Sequence, residues 1–538
     1  MKKSYLFIIA VCLLGFNKAN AQGWAKTIHA GAGTNVYQNF TFDKDNNPVV
    51  IGGAEDYGGG TPNGLVFMKY DKQAGTRSLL KKYNGNTNSE SYKVHTDAQG
   101  NIYYFGTFTD YIAFGADTLF TYSKVNWNSP NYIIAKFDSE GNHLWSKKFG
   151  QKFGTELKQV LDAHFTADGF HAMIGYSSDS VFYDNAFVEK LPYAGTNMAN
   201  FCLFRVDLTD GSLKTFKKVG GYYGAYPQMF VVNPNGGYEM GVMDIAMTKK
   251  FVVYSFTETN AAVVKCSTNI SEVNGDGNDI EQVVLHNGNY YALAVNLTAR
   301  GYSVYNGDSV KVLPSPYNLR TGMLMKFDSA FNLKAHVRFH WRDVYPKLFL
   351  SKGKLVVPAR FSNTMYIEND SVVCLNNQQA WELMAFNENL AIADTLQLNT
   401  ANSSGGSFDV ECAGYDNEGN LYGQAVHNKN IIYNGTVVQA ALKSWDHLTV
   451  LFRKGNNIGS GLNSRSAPIL QAGVYPNPVS DVINLDVEVN EVSIFNITGK
   501  LMLKVASKQA DVSGLPQGLY FIQAADGVNR YHSRFIKN

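Results

Sequence analysis

Residues 94–108 read Val-His-Thr-Asp-Ala-Gln-Gly-Asn-Ile-Tyr-Tyr-Phe-Gly-Thr-Phe, and residues 132–150 read Tyr-Ile-Ile-Ala-Lys-Phe-Asp-Ser-Glu-Gly-Asn-His-Leu-Trp-Ser-Lys-Lys-Phe-Gly. Both join a turn signal, Asp followed by Gly-Asn, to apolar runs of strand length. Gly and Asn tolerate the positive φ of tight hairpins, so the pattern predicts strands linked by short turns. Looser copies fill most of the chain. The turn-then-strand phrase opens at Asp43, Asp97, Ala167, Asn233, His286, Lys352 and Asp416. A second phrase, an apolar strand closing on a basic, an aromatic and an acidic residue, ends at Asp71, Asp138, Asp207 and Asp328. Degraded copies are read at Val264–Ser267, Met384–Asn387 and Val450–Arg453. The two sets interleave at about 50–70 residues, room for four short strands per unit. A unit of that kind must stack on its neighbours, and radial stacking of four-stranded repeats gives a propeller. Seven copies of each phrase predict seven blades. Six or eight stay open, because the copies beyond residue 230 are weak.

The last copy stops near Leu448–Phe452 and lacks a closing strand like Leu144–Gly150. Trp24–Ile28 has that strand's character. It is therefore expected to complete the last blade and join the two ends of the ring.

Composition agrees with an all-β chain of more than one domain. The protein has 538 residues, 45% hydrophobic and 17% charged, with 32 Tyr, 33 Phe and 49 Gly. Aromatics suit half-buried pleated surfaces and Gly suits turns. A net charge of +2 with scattered basic residues gives no reason to invoke nucleic acid.

Met1–Ala21 reads as a secretory signal peptide. Lys2 and Lys3 precede an apolar run at Tyr5–Phe16, and Ala19 and Ala21 are the small residues a signal peptidase reads. The run is short for a membrane span, and no later stretch is apolar enough to make a transmembrane segment. Val11 before Cys12 argues against a lipid anchor. The propeller is assigned to 22–454. A Gly-, Asn- and Ser-rich connector follows at 455–473. Residues 474–538 alternate as a small Ig-like β-sandwich, with Thr498–Lys500 as a hairpin turn.

Two resemblances follow from these residues. The repeats at 94–150, less closely at 37–85 and 160–220 and weakly at 230–455, resemble the seven-bladed β-propeller repeat family of bacterial exported proteins. That family implies a fold and little more. The tail, through Val474–Pro478, Val492–Lys500, Val512–Tyr520 and the basic end Arg534–Asn538, resembles the type A C-terminal sorting domain of the type IX (Por) secretion system. The resemblance implies recognition by the type IX secretion machinery at the outer membrane, removal of the tail, and attachment to surface lipopolysaccharide or release. It gives Tyr475, Pro476, Asn477, Pro478, Gly499, Lys500, Gly518, Tyr520 and Lys537 as the sorting signal.

Signals for chemistry are weak. The chain has no G-x-S-x-G, H-E-x-x-H, Walker or G-x-G-x-x-G motif. His336 and His340, beside Trp341 and Asp343, share a strand face but lack a third ligand; His164 and His171 carry less. Asp43, Asp45 and Asn47 have the spacing of half a calcium loop without its Gly and distant Glu, so they read as a turn. Asn274, Asp276, Asn278 and Asp279 lie too close to Glu281 for such a loop. No catalytic residue, metal or cofactor is assigned. Cys202, Cys266, Cys374 and Cys412 read as buried thiols, with one disulfide as the alternative. Asp-Ser/Thr-aliphatic triplets at Asp117, Asp179, Asp308, Asp328, Asp370 and Asp394 resemble an O-glycosylation acceptor of bacteria with this secretion system. The leading functional reading is a non-enzymatic binding or adhesion module for glycan, peptide or a surface protein. A polymer-degrading lyase or hydrolase and a structural spacer are the alternatives, since fold alone does not choose.

Overall fold

The computed structural model describes residues 23–28, 34–56, 64–86, 91–122, 131–150, 157–176, 180–190, 198–223, 225–244, 250–273, 278–296, 302–311, 313, 320–341, 347–362, 364–368, 370–373, 379–400, 408–427, 431–433, 436–438, 448–454, 469–496, 501–525 and 530–538. Outside them fall Ala19 and Ala21, Asp179, Asn274, Asp276, Asp343, Cys374, Gly499, Lys500 and the connector from 455 to 468. Every regular element among the described residues is a strand. Contacts divide the chain into two compact units, with the main division between residues 458 and 459.

In the first unit, four-stranded antiparallel meanders follow one another as propeller blades. Numbered along the chain, blades 1 to 6 span 34–86, 91–150, 157–223, 225–273, 278–341 and 349–400. Blade 7 takes 408–415, 421–427 and 448–453, with Trp24–Ile28 as its fourth strand. First strands touch from blade 1 through blade 5 and from blade 6 to blade 7, blades 5 and 6 meet through Leu333–Trp341 and Lys354–Ser362, and Thr34–Phe42 of blade 1 meets Phe408–Tyr415 of blade 7. The ring is closed.

The repeated turns have one physical basis. The Asp97 carboxylate accepts the amides of Gln99 (3.0 Å) and Asn101 (2.8 Å) and the Asn101 side-chain amide (2.8 Å). Asp43 with Asn47, and Asp416 with Asn420, repeat this between first and second strands. Asp138 with Asn142, and Asp328 with Asn332, repeat it between third and fourth strands. Asp43 and Asn47 are thus engaged as turn residues. Gly141 in such a turn has φ +71°, and an added Cβ would sit 2.8 Å from the Phe67 ring of blade 1. A side chain there would wedge two blades apart.

Between blades the aromatics are packed in common cores. Phe105, Tyr132 and Phe149 of blade 2 share a cluster with Phe170 and Phe204 of blade 3, the Phe149 and Phe204 rings lying 5.0 Å apart. Cys202, Cys266 and Cys412 are free thiols.

Two features differ from the sequence reading. Val264–Ser267 lies on the fourth strand of blade 4, Val263–Val273, and the third is Lys250–Phe256, which lacks the basic-aromatic-acidic ending. The local likeness of Val264-Lys265-Cys266 to the motif misplaced that copy by one strand. The second feature has no counterpart in the repeats. Between its second and third strands, a blade can send a hairpin back onto the outer strand of the blade before it. Ser180–Lys190 extends blade 2, Tyr302–Lys311 blade 4, Thr364–Val373 blade 5 and Ile431–Val438 blade 6. Blade 1 is extended by the long second strand of blade 2 and its partner Asp117–Phe120.

The second unit is a two-sheet sandwich. One sheet orders Ile469–Gln471, Arg530–Lys537, Gly518–Ala525, Glu491–Phe495 and Leu501–Val505; the other orders Val474–Tyr475, Val482–Leu485 and Gln509–Asp511. Ile469–Gln471, within the segment read as connector, runs parallel to Arg530–His532. Val479, Ile483, Leu485, Ile494, Ile522 and Phe535 form part of its core.

At the ring's junction Trp24 pairs with Arg453 and Ile28 with Thr449. Trp24 is buried, donates its Nε1–H to the Lys72 carbonyl (3.0 Å) and meets Tyr422 edge-on at 6.0 Å. Truncating a buried tryptophan of this kind costs about 3–5 kcal/mol. Trp24→Ala should lower the Tm by several degrees, while Phe187→Ala, at a side chain 59% exposed, should leave it unchanged. Equal Tm for both variants would refute a load at the junction.

Candidate functional site

First strands surround the ring's axis, where a propeller gathers one edge of every blade. Their polar side chains bridge successive blades at one level. Asn39 donates to the Tyr92 carbonyl (3.1 Å) from blade 1 to blade 2. Lys93 meets Asp162 of blade 3 at 3.3 Å. His164 Nε2 lies 2.9 Å from the Phe230 carbonyl of blade 4 and 3.3 Å from Asp162 Oδ2. The Leu348 amide donates to Gln282 (2.8 Å), joining blades 5 and 6, and Lys347 pairs with Glu411 of blade 7.

The backbone explains why these side chains meet. First strands are bulged at Tyr92, Leu161, Gln228, Glu281 and Glu411. A bulge adds one residue and re-aims the side chains beside it. The belt is accessible: Lys93, Asp162 and His164 are 39%, 35% and 31% exposed, and Lys347 and Glu411 are similar. Burial alone would push the Asp162 pKa up, but Lys93 and His164 outweigh it and hold the carboxyl well below its usual range. Asp162 is a fixed anion, suited to accepting hydrogen bonds and unsuited to donating a proton near neutral pH.

The belt leads into a second polar cluster between blades 3 and 4. His171 pairs across the strands with His164 and is buried. Its Nε2 lies 3.2 Å from Asp168 and 3.0 Å from Thr166 Oγ1, and its Nδ1 lies 3.2 Å from Tyr238 Oη. Tyr238 donates to Glu258 (3.2 Å), which Arg205 clasps at 2.8 Å.

Other residues singled out by sequence are not brought together. His340 is buried and His336 exposed on the fourth strand of blade 5. Asn278 and Asp279 lie on that blade's first strand. Among the described residues, no three His, Cys, Asp or Glu side chains group as a metal site. Asp117, Asp308 and Asp370 start returning hairpin strands, Asp328 holds a turn, and Asp394 binds Tyr415 and Lys454.

The tail does converge. Asn477 Oδ1 accepts the Ile536 amide (2.9 Å), and its Nδ2 donates to the Arg534 carbonyl (3.3 Å). The Val479 amide donates to the Ile536 carbonyl, and the Asn538 amide to that of Val479. Tyr520 stacks on Phe535 at 5.4 Å and donates to the Pro516 carbonyl (2.8 Å). Tyr475 is 55% exposed, and Lys537 is largely buried. The Tyr475–Pro478 segment is therefore laced to the final strand.

Residues 473–538 match the family model described as a secretion system C-terminal sorting domain. The tail is a type IX sorting domain. It directs export by the type IX machinery to the cell surface or extracellular space. No helix among the described residues is long and apolar enough to cross a membrane. No curated protein matches the chain. Solved structures give distant likenesses. A puromycin hydrolase mutant complexed with PGG has TM-score 0.37 at 9% identity, over 75% of this chain and 53% of its own. The phage phi92 endosialidase has TM-score 0.33 at 11% identity, over 96% and 87%. The Bacteroides ovatus xyloglucan-locus GH43B has TM-score 0.25 at 10%, over 80% and 96%. This chain thus spans about half of the hydrolase it matches. Likenesses at this level assign no activity.

Burial holds the imidazoles of His95, His143 and His171 below the ordinary histidine range, so the fold favours their neutral forms. Their contribution is complete above about pH 6.5 and is lost as the pH falls below it. Asp97, Asp168 and Glu258, shifted downward, stay charged until far lower pH. Tm should drop between pH 7.5 and 5.0, and His171→Gln should show a smaller drop. A Tm flat across that window would contradict the reading.

Proposed function

We propose that the exported propeller is a non-enzymatic binding module for the cell surface, its site being the polar belt of the first strands. The ligand is a hydroxyl-rich chain, a glycan first, ahead of a peptide or a surface protein. What carries the reading is the pairing of the belt's carboxylates: Asp162 with Lys93 and His164, and Glu411 with Lys347. A glycosidase or lyase needs a carboxyl or base poised near neutral pH. Asp162 is shifted the other way. Mixed donors and acceptors at one level suit hydroxyls, which offer both.

The sorting signal itself is proposed as Tyr475–Pro478 laid along Arg534–Lys537, with Gly518 and Tyr520 supporting the last strand. Gly499 and Lys500 belong to the same signal by sequence. The propeller is assigned to 22–454 and the sorting domain to 474–538, after a leader cut beyond Ala19 and Ala21.

One displayed-protein experiment tests both parts. In a bacterium with this secretion machinery, surface labelling should detect the wild type and lose Asn477→Ala, which unlaces the tail. Displaying cells should then capture fluorescent polysaccharides saturably, and the Lys93→Met/Asp162→Asn double variant should be displayed but capture none. Normal display of Asn477→Ala would end the sorting assignment. Equal capture by the double variant, or hydrolysis of the captured chain, would end the binding one.

A further inference from the structure

Five outer strands are extended at their distal ends by a donated hairpin, and four of the donated strands carry bulky buried apolar residues two apart, Ile112 and Phe114 among them. Val181 and Tyr183, Met365 and Ile367, and Ile431 and Tyr433 are all buried in this way. Tyr305, on the hairpin added to blade 4, packs on Phe327 of blade 5. The hairpins thus fill the outer wedge between neighbouring blades.

Among the described residues, two outer strands receive no such hairpin, Trp24–Ile28 of blade 7 and Leu213–Tyr223 of blade 3; the second is the one that blade 4 would have extended. The second strand of blade 4 ends at Asp244 and its third begins at Lys250, so only residues 245–249 join them. Two strands and a turn do not fit in that length. Among the described residues, the outer edge of Leu213–Tyr223 in blade 3 has no strand beside it.

The wedge behind that edge is correspondingly open. Val252 and Tyr254 of blade 4 are partly exposed, whereas the equivalent Cys202 and Phe204 of blade 3, and Met323 and Met325 of blade 5, are fully buried. The equivalence follows from register: Val206, Phe256 and Phe327 each oppose the first core residue of their second strand. Val264 lies directly opposite Tyr254, shares its face and is 59% exposed. Val219 of blade 3 packs into the same cluster as Tyr254. Lys250 shares the face of Val252 by alternation, and Lys217 of blade 3 reaches across to the Glu258 and Asn260 carbonyls of blade 4.

We propose that this wedge binds an extended segment of a partner protein, which adds as a strand to Leu213–Tyr223. Its occupant is read from the filled wedges of the same ring: two bulky apolar residues two apart, as in Ser180-Val-Phe-Tyr183. The lysines at the rim select acidic flanks. Main-chain pairing supplies affinity and the alternate pockets supply specificity. The site is distinct from the axial belt, so neither reading depends on the other.

The test uses the full mature chain and a fluorescent peptide, Asp-Glu-Ser-Val-Phe-Tyr-Glu-Asp, followed by anisotropy. Saturable binding is expected, weakened at least about tenfold, or 1.4 kcal/mol, by Val264→Asp. Val263→Asp, equally exposed but on the opposite face, should bind as wild type does, as should Lys93→Met. Replacing the peptide's Val and Tyr by Ser should abolish binding. No saturable binding, or equal loss in both valine variants, would overturn the proposal. So would self-association of the wild type that Val264→Asp dissolves, since a second copy would then be the occupant.

Discussion

The pairing of Trp24–Ile28 with Leu448–Arg453 is the constraint on which the propeller rests. A sheet edge left open at the junction would expose unpaired backbone groups and the flanks of two blades. Closure removes both at once. It also makes stability depend on contacts between opposite ends of the segment, which are the slowest to form because loop-closure entropy precedes their reward. Arg453, buried under the closing strand, lies over the Tyr422 ring at 5.8 Å, in the register position from which Lys136 lies over Tyr103 in blade 2 and Lys326 over Tyr291 in blade 5. The junction thus repeats a contact made within other blades, with the cation fully buried.

Those other interfaces combine an apolar wedge with polar clasps. Glu239 of blade 4, for instance, is buried and held by Lys265 (2.7 Å), Tyr290 (2.6 Å) and Asn233 (3.2 Å). A buried carboxylate in such a clasp is strongly destabilising when one partner is removed, so it fixes which face meets which more than it adds net stability. A ring held in this way is a rigid platform. The belt of Lys93, Asp162 and Glu411 gains its geometry from that rigidity, and the blade 3–4 wedge stands out because it lacks the filling of five other outer strands and leaves Val252, Tyr254 and Val264 partly exposed.

Much of this was legible in sequence because turn chemistry is local. Asp97 and Asn101 announce their loop through residue types that bond neighbouring amides, and the same loop recurs wherever those types do. The tail was legible for a similar reason: Tyr475–Pro478 and the final strand are each distinctive. Blade 4 was misread because Lys250–Phe256 lacks the motif that Val264–Ser267 imitates on the next strand. The donated hairpins left no repeat signal, since their pairing depends on a neighbouring blade rather than on their own sequence. The axial belt was missed because bulges break the two-residue period. Adjacent polar residues such as Glu281 and Gln282 are the trace they leave, and that trace reads equally well as a loop.

Hydrogen exchange measured by mass spectrometry on the mature chain tests ring closure most directly. Amides of Trp24–Ile28 should exchange in the slowest class, together with those of Leu448–Arg453, because the two strands open as one unit. Fast exchange at Trp24–Ile28 while Leu421–His427 and Leu448–Arg453 stay protected would mean that blade 7 stands without its closing strand, and the account would fail.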